Sequence, residues 1–201
     1  MISGISALFT ATNEQLLRLI FGTRYGFMVL ALGELALVFF LSANIRKLSP
    51  VAATGVFLAY SVLNGMTLSS IFFVYPIGNI INVFFISAAM FGAMTIYGMF
   101  TKTDLMSFSR YFFMALIGLV IASLVNLLLR SSTMDWLLSI AGVAIFTGLT
   151  AYDTQRVVRT AEYADGRDAY KNVAIIAALN LYLDFVNIFL YLLRLFGNRR
   201  R

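Results

Sequence analysis

VAIIAALNLYLDFVNIFLYLLRLF, running from Val173 to Phe196, is the stretch that decides how this chain folds. It is apolar throughout apart from a spaced set of polar residues, and its charges are Asp184 in the middle and Arg194 near the end. At 1.5 Å of rise per residue, about 20 apolar residues in a helix cross a hydrocarbon core roughly 30 Å thick. This stretch is long enough. Its apolar residues are continuous rather than alternating, whereas a membrane barrel strand is about ten residues long with period two. Only helices and closed barrels satisfy every backbone group in lipid, so the stretch predicts a membrane-spanning helix.

Five more runs of the same kind precede it: Tyr25 to Ile45, Val51 to Val74, Ile80 to Phe100, Tyr111 to Leu129 and Met134 to Tyr152. Together they predict an all-α membrane protein. It is a bundle of six full transmembrane helices around a central C-terminal helix, in one integral membrane domain over residues 1–201. Composition agrees. Of 201 residues, 61% are hydrophobic and 12% charged, with a mean hydropathy of +0.88. A soluble domain has about 45–50% apolar and about 25% charged residues. Soluble globular and disordered classes are therefore excluded. The absence of Cys and of any glycine period excludes disulfide scaffolds and collagen-like repeats.

With no Cys and no His, the chain has no thiol nucleophile, no imidazole metal site, no Ser-His-Asp triad and no histidine pH switch. No enzymatic role and no resident cofactor are expected. The net charge of +6 is read as basic residues orienting helices and meeting lipid headgroups, with membrane lipid and not nucleic acid as the partner.

Pro50 is placed at a helix start, where its missing N–H costs nothing, and Pro76-Ile77-Gly78 reads as a tight turn. The segment Thr154 to Asn172 carries Arg156, Arg159, Glu162, Asp165, Arg167, Asp168 and Lys171, and is expected to be a solvated loop with a turn at Asp165-Gly166. Met1 to Ala11 is apolar but too short to span, and an amphipathic piece, Asn13 to Phe21, follows it. No basic region precedes the apolar residues, which argues against a signal peptide.

Lys and Arg assign the sides. Arg46, Lys47, Lys102, Arg110, Arg156, Arg159, Arg167 and Lys171 fall in alternate connections, which places those connections in the cytoplasm; Arg18, Arg24 and Arg130 fall opposite. The C-terminal Arg194, Arg199, Arg200 and Arg201 run against this tally if the last helix crosses fully.

Ionisable residues inside a membrane are costly and mark functional sites. Three carboxylates qualify: Glu34, Asp153 and Asp184. In the last run, Asn180, Asp184, Asn187, Tyr191 and Arg194 recur at intervals of four, three, four and three, which puts them on one helical face. That is the pattern of a helix lining a cavity. The competing explanation for Asn180 and Asn187 is hydrogen bonding to neighbouring helices. Thr147, Thr150 and Asp153 form a second polar face, with interfacial water the plainer environment for Asp153; Tyr60, Asn64 and Thr67 form a third, where helix packing competes with a lining role. Glu34 is either paired with a polar neighbour or protonated. Ala88 with Gly92, and Gly118 with Ala122, read as packing positions.

If Asp153 and Asp184 meet in a low dielectric, both cannot ionise cheaply and they titrate as a unit. That makes a proton sensor without histidine. Deprotonated, the pair offers hard oxygens to a cation such as Ca2+, which takes about six to eight oxygen ligands. Two aspartates, Asn180 and water begin to supply these, so the expected metal site is a weak one on Asp153 and Asp184, suited to permeation.

The order of four segments adds a resemblance. Leu179 to Leu190 (LNLYLDFVNIFL), Gly148 to Gln155 (GLTAYDTQ), Asn64 to Phe72 (NGMTLSSIF) and Thr101 to Leu105 (TKTDL) are similar to segments of bacterial members of the Bax inhibitor-1 family. The likeness extends from about Gly22 to Arg201. It implies a pH-sensitive calcium leak channel of the bacterial inner membrane, with calcium and protons as its ions. In such proteins paired aspartates on the last two helices act as sensor and gate, which carries onto Asp153 and Asp184. A basic residue latches one aspartate in the closed state; Arg46 is the nearest candidate for it here. The family has seven spans, and Met1 to Ala11 corresponds to the second half of the first, a partial N-terminal helix. The competing class is a non-transporting interaction protein that regulates a membrane protease or a stress or cell-death partner through its charged loop and arginine tail. An intramembrane aspartyl protease is disfavoured, since Asp184 follows Leu181-Tyr182-Leu183 instead of Gly-x-Gly. No duplicated broken helices point to a transporter.

Overall fold

The fold was analysed in a computed structural model, in which residues 2–44, 47–162 and 168–197 are described. Among these residues all regular structure is helical. The chain is an all-α membrane protein. Six helical segments are long and apolar enough to cross a membrane: Gly26–Asn44, Pro50–Val74, Ile77–Phe100, Leu105–Leu129, Ser132–Ala161 and Asn172–Phe196.

Two compact units make up the chain. In the first, α1 (Ile2–Thr12) and α2 (Glu14–Phe21) precede α3 (Gly26–Asn44), α4 (Pro50–Leu68) and α5 (Ile71–Val74). The Asn13 side chain starts α2 by accepting from the N–H groups of Gln15 and Leu16, at 3.0 and 3.2 Å. α1 lies directly on α4. The Ser6 hydroxyl donates to the Val62 carbonyl at 2.8 Å, and a Cβ on Gly65 would run into the backbone of Ser3 and the side chain of Ser6. The short apolar segment at the N-terminus is thus a packed helix.

Ser49 caps α4, its side chain accepting from Ala52 N–H at 3.2 Å, with Pro50 in the first turn as expected. The run from Val51 to Val74 is not one helix. It breaks at Ser69 and Ser70, whose hydroxyls donate back to Met66 and Thr67 carbonyls at 2.6 and 2.9 Å. Such back-bonding competes with the helical ladder and tightens the turn. The expected turn at Pro76-Ile77-Gly78 is shorter than the sequence suggested. Tyr75 is extended (φ −120°, ψ 141°), as a residue before proline must be, and α6 (Ile77–Phe100) begins directly after Pro76.

The second unit comprises α6, a 3-10 turn (Leu105–Phe108), α7 (Ser109–Leu129), α8 (Ser132–Glu162) and, from Ala177 onward, α9 (Asp168–Phe196). α7 closes on Arg130, the one non-glycine residue with positive φ (53°) among those described. Its N–H donates to the Asn126 carbonyl at 2.7 Å, and Asn126 Oδ1 accepts from Ser131 N–H at 3.1 Å. This left-handed residue reverses the chain into α8 with almost no loop.

The solvated loop expected from Thr154 to Asn172 is largely absent. α8 continues to Glu162, and α9 starts at Asp168; the expected Asp165-Gly166 turn lies outside the described residues. Helical hydrogen bonds are internal to the backbone, so a helix leaving lipid for water continues through charged residues of good helix propensity. Thr154 and Gln155 are buried instead of solvated.

Burial separates the helices by role. α3 buries only Leu41, and α7 only Leu119. Their large apolar side chains, Phe39, Phe113 and Leu128 among them, are exposed, as a lipid-facing helix requires. In α9, Asp184, Val186, Ile188, Phe189, Leu192 and Leu193 are all buried, which covers more than half of its circumference.

Candidate functional site

The second unit places Asp153 and Asp184 deep in its core, 8% and 4% exposed. Helix geometry explains how. Gly98 on α6 faces α8 so closely that a Cβ there would strike the Ala151 carbonyl and the Thr154 side chain. With no side chain between them, the two backbones pack directly along the face of α8 that carries Ala151 and Thr154. On the other side, Phe84 and Phe91 of α6 meet Phe185 of α9 edge-on, each with centroids 5.6 Å apart, and Phe84 also meets Phe189 at 6.2 Å. These rings pack α6 onto α9 at Phe185 and Phe189, next in the chain to Asp184 and one turn beyond it. Phe112 of α7 lies against Tyr152, at 5.7 Å, and over Gly148.

From α9, the Asn180 carboxamide is a hydrogen-bonding neighbour of the Asp153 carboxylate. Asp184 stands one turn further along the same face, and the charges of the two aspartates act on each other. Among the described residues Asp184 Oδ2 is buried without a hydrogen-bond partner. So are the hydroxyls of Thr95 on α6 and Thr147 on α8. Buried polar atoms are normally paired, and the exceptions concentrate where chemistry happens. Arg156, one turn along α8, is the cation whose charge acts on Asp153 among the described residues. Arg46, the candidate latch, lies outside them.

The rest of the polar stripe on α9 does several different things. Asn187 donates to the Leu183 carbonyl of its own helix at 2.8 Å. Tyr191 stacks on Phe146, at 5.9 Å, and rests against Gly142, where a Cβ would come within 2.6 Å of its ring. Arg194 lies over the Tyr191 ring, 5.4 Å from its centroid, and reaches Asp135 at 3.9 Å. Thr150 and Thr154 of α8 also bond back to their own helix. Thr150 donates to Phe146 and Thr154 to Thr150, at 2.8 and 2.6 Å.

Glu34 belongs to the first unit. Asn64 Nδ2 donates to its Oε2 at 3.2 Å, and the Thr67 hydroxyl donates to its Oε1. Both carboxylate oxygens are thereby engaged by α4. Among the described residues no three carboxylates cluster. Asp153, Asp184 and Asn180 supply fewer oxygens than the six to eight that calcium takes, so any cation here would keep much of its water.

One group at this site was read too simply from the sequence. Gln155, assigned to a loop, is 5% exposed and bridges to the connection between α6 and α7. Its Nε2 donates to the Thr103 carbonyl and its Oε1 accepts from Leu105 N–H, both at 2.8 Å. Arg159 pairs with Asp104 of the same connection at 2.8 Å. A glutamine two residues beyond a buried aspartate was the available signal; its partners, some 50 residues away, have no local signature.

The family model described as "Inhibitor of apoptosis-promoting Bax1" matches residues 1–201. The chain is 47% identical to the inner membrane protein YbhL of Escherichia coli (strain K12), over all of this chain and 86% of that protein. It is 45% identical to a protein of Borreliella burgdorferi, over all of this chain and 87% of the other. A membrane protein of Streptococcus pyogenes serotype M1 is 45% identical over 83% of this chain and 72% of its own length.

Proposed function

The chain belongs to the Bax inhibitor-1 family, and from that premise we propose that it is a pH-sensitive cation leak channel. Calcium is the ion it passes, and Asp153 with Asp184 is its gate. A relative at 47% identity is named an inner membrane protein, and the bacterial inner membrane is the location inferred here. Lipid surrounds the six spans; calcium and protons are the ligands. The function requires no covalent chemistry and no resident cofactor.

One observation carries the reading. Two carboxylates from different helices are buried in the interior of one unit, and their charges act on each other. A carboxylate inside a membrane is costly to keep without a use. Two that interact exchange protons as a pair, so the charge of the site changes with pH without any histidine. Deprotonated, they attract a hard cation; at 8% and 4% exposure, they have little access to water. A leak therefore requires both a change of proton occupancy and a movement of α8 against α9 or α6. The unpartnered oxygens of Asp184, Thr95 and Thr147 are polar groups that a partly dehydrated ion would meet on the way.

The test is calcium flux into proteoliposomes at a series of pH values. Asp153→Asn and Asp184→Asn are expected to alter the pH dependence singly and to abolish it together. A profile left unchanged by both substitutions overturns the reading.

A further inference from the structure

We propose that Gln155 is the positioning residue of the aspartate pair. It clamps the α6–α7 connection onto α8 and thereby holds Asp153 in its buried, closed place. The inference rests on the gating role of the pair given above.

The bridge is a small piece of paired backbone built from a side chain. A carboxamide has one donor face and one acceptor face, and Gln155 uses both on the main chain of one short segment, at Thr103 and Leu105. The group is buried, so neither bond is exchanged easily for water. One turn further on, Arg159 holds Asp104. Asp104 also accepts from Met106 N–H at 3.1 Å, which shapes the start of the 3-10 turn. Residues 101–106 are thus fixed to α8 at two successive turns directly beyond Asp153. Gly98, at the end of α6, presses on Ala151 and Thr154 of the same stretch. α8 cannot slide or rotate here without breaking the bridge or carrying the connection with it.

The groups around Asp153 are few among the described residues. On its own helix stand Arg156 and, further out, Arg159. From α9 come Asn180 and Asp184. α6 meets a different face of α8, with the uncharged Gly98 against Ala151 and Thr154. α7 presents Phe112, against the neighbouring Tyr152. The connection contributes Asp104, held by Arg159, and an exposed Lys102. None of the groups on α6, α7 or the connection hydrogen-bonds Asp153 itself. The influence of Gln155 is therefore exerted through position.

The experiment uses the full chain in proteoliposomes. Gln155→Met keeps the length and loses both hydrogen bonds. At the pH of lowest wild-type flux it is expected to raise calcium leak about five-fold or more for the bonds lost, and to flatten the pH profile. Hydrogen exchange at residues 101–108 is measured alongside and is expected to speed up. Because the chain has no cysteine, Asp104→Cys with Arg159→Cys can be joined cleanly by a reducible bifunctional thiol reagent. Joining is expected to suppress the leak and reduction to restore it. If Asp153→Asn and Asp184→Asn change the pH profile while Gln155→Met and the cross-link leave it as in the wild type, the clamp is overturned and the gate stands. If the aspartate variants change nothing, both proposals fall.

Discussion

The Asn180 side chain on α9 is the hydrogen-bonding neighbour of the Asp153 carboxylate on α8, inside the second unit. A carboxamide supplies a donor without a charge. It therefore offers a carboxylate in a dry place a partner that brings no charge of its own. A lysine or arginine at the same point would fix it in the ionised form.

Replacing Asn180 by Leu leaves the Asp153 oxygen buried and unpaired. The expected cost is about 1–3 kcal/mol, read as a lower Tm in detergent micelles. Adding Asp153→Asn to Asn180→Leu is expected to recover part of the loss, because a neutral group is cheaper to leave unpaired. A double variant as unstable as the sum of both singles would contradict this.

Gly98 and Gly142 give two different outcomes with the same substitution. A methyl at Gly98 meets backbone at Ala151, which cannot move without shifting α8. A methyl at Gly142 meets the ring of Tyr191, a side chain that can swing away. Overpacking costs typically about 1–3 kcal/mol. Gly98→Ala is expected at the upper end and Gly142→Ala at the lower. Tyr191→Leu should relieve the second and leave the first untouched, as thermal unfolding of the four variants will show.

Arg130 holds a left-handed conformation with φ 53°. That conformation costs an L-residue roughly 1–2 kcal/mol and glycine very little. Arg130→Gly is expected to raise Tm with calcium flux unaffected. A fall in Tm would mean that the arginine side chain contributes more than its backbone costs.

Glu34 accepts from Asn64 and from Thr67. Glu34→Gln keeps both bonds, because its oxygen still accepts from Asn64 and its NH2 donates to the Thr67 hydroxyl, which can turn to accept; Tm is expected to change little. Glu34→Leu removes both acceptors, with an expected destabilisation of about 1–3 kcal/mol. Thermal unfolding of the two variants in micelles checks the contrast, and a Gln variant as unstable as the Leu variant would contradict it.

The six spans were legible because lipid demands unbroken apolar length, and hydropathy reports that directly. Asp153 and Asp184 were legible for the complementary reason that each stands where ionisable groups are rare. Less was visible where a helix and its surroundings part company. Tyr152 ends the apolar run, yet α8 goes on to Glu162, because backbone hydrogen bonding is indifferent to whether the outside is lipid or water. Ser69 and Ser70 look like ordinary small residues and break the span only through what their hydroxyls bond. Asn187 shares a face with Asp184 and spends its donor on its own helix. Gln155 depends on Thr103 and Leu105, and long-range pairings of that kind leave no period to read.

The unequal burial of the helices bears on how the chain enters the membrane. α7, with one buried residue and no carboxylate, needs no protein neighbour to be at home in lipid and is expected to leave the translocon singly, whereas α3 carries Glu34, whose partners Asn64 and Thr67 are on α4. α8 and α9 each carry a carboxylate that must stay wet or find company. They are expected to insert as a hairpin, with Asn180 already against Asp153. Biosynthesis would then have a committed step at the last helix. A chain stalled before α9 would expose Asp153 to lipid, and glycosylation mapping of α8 alone against the α8–α9 hairpin would reveal the difference.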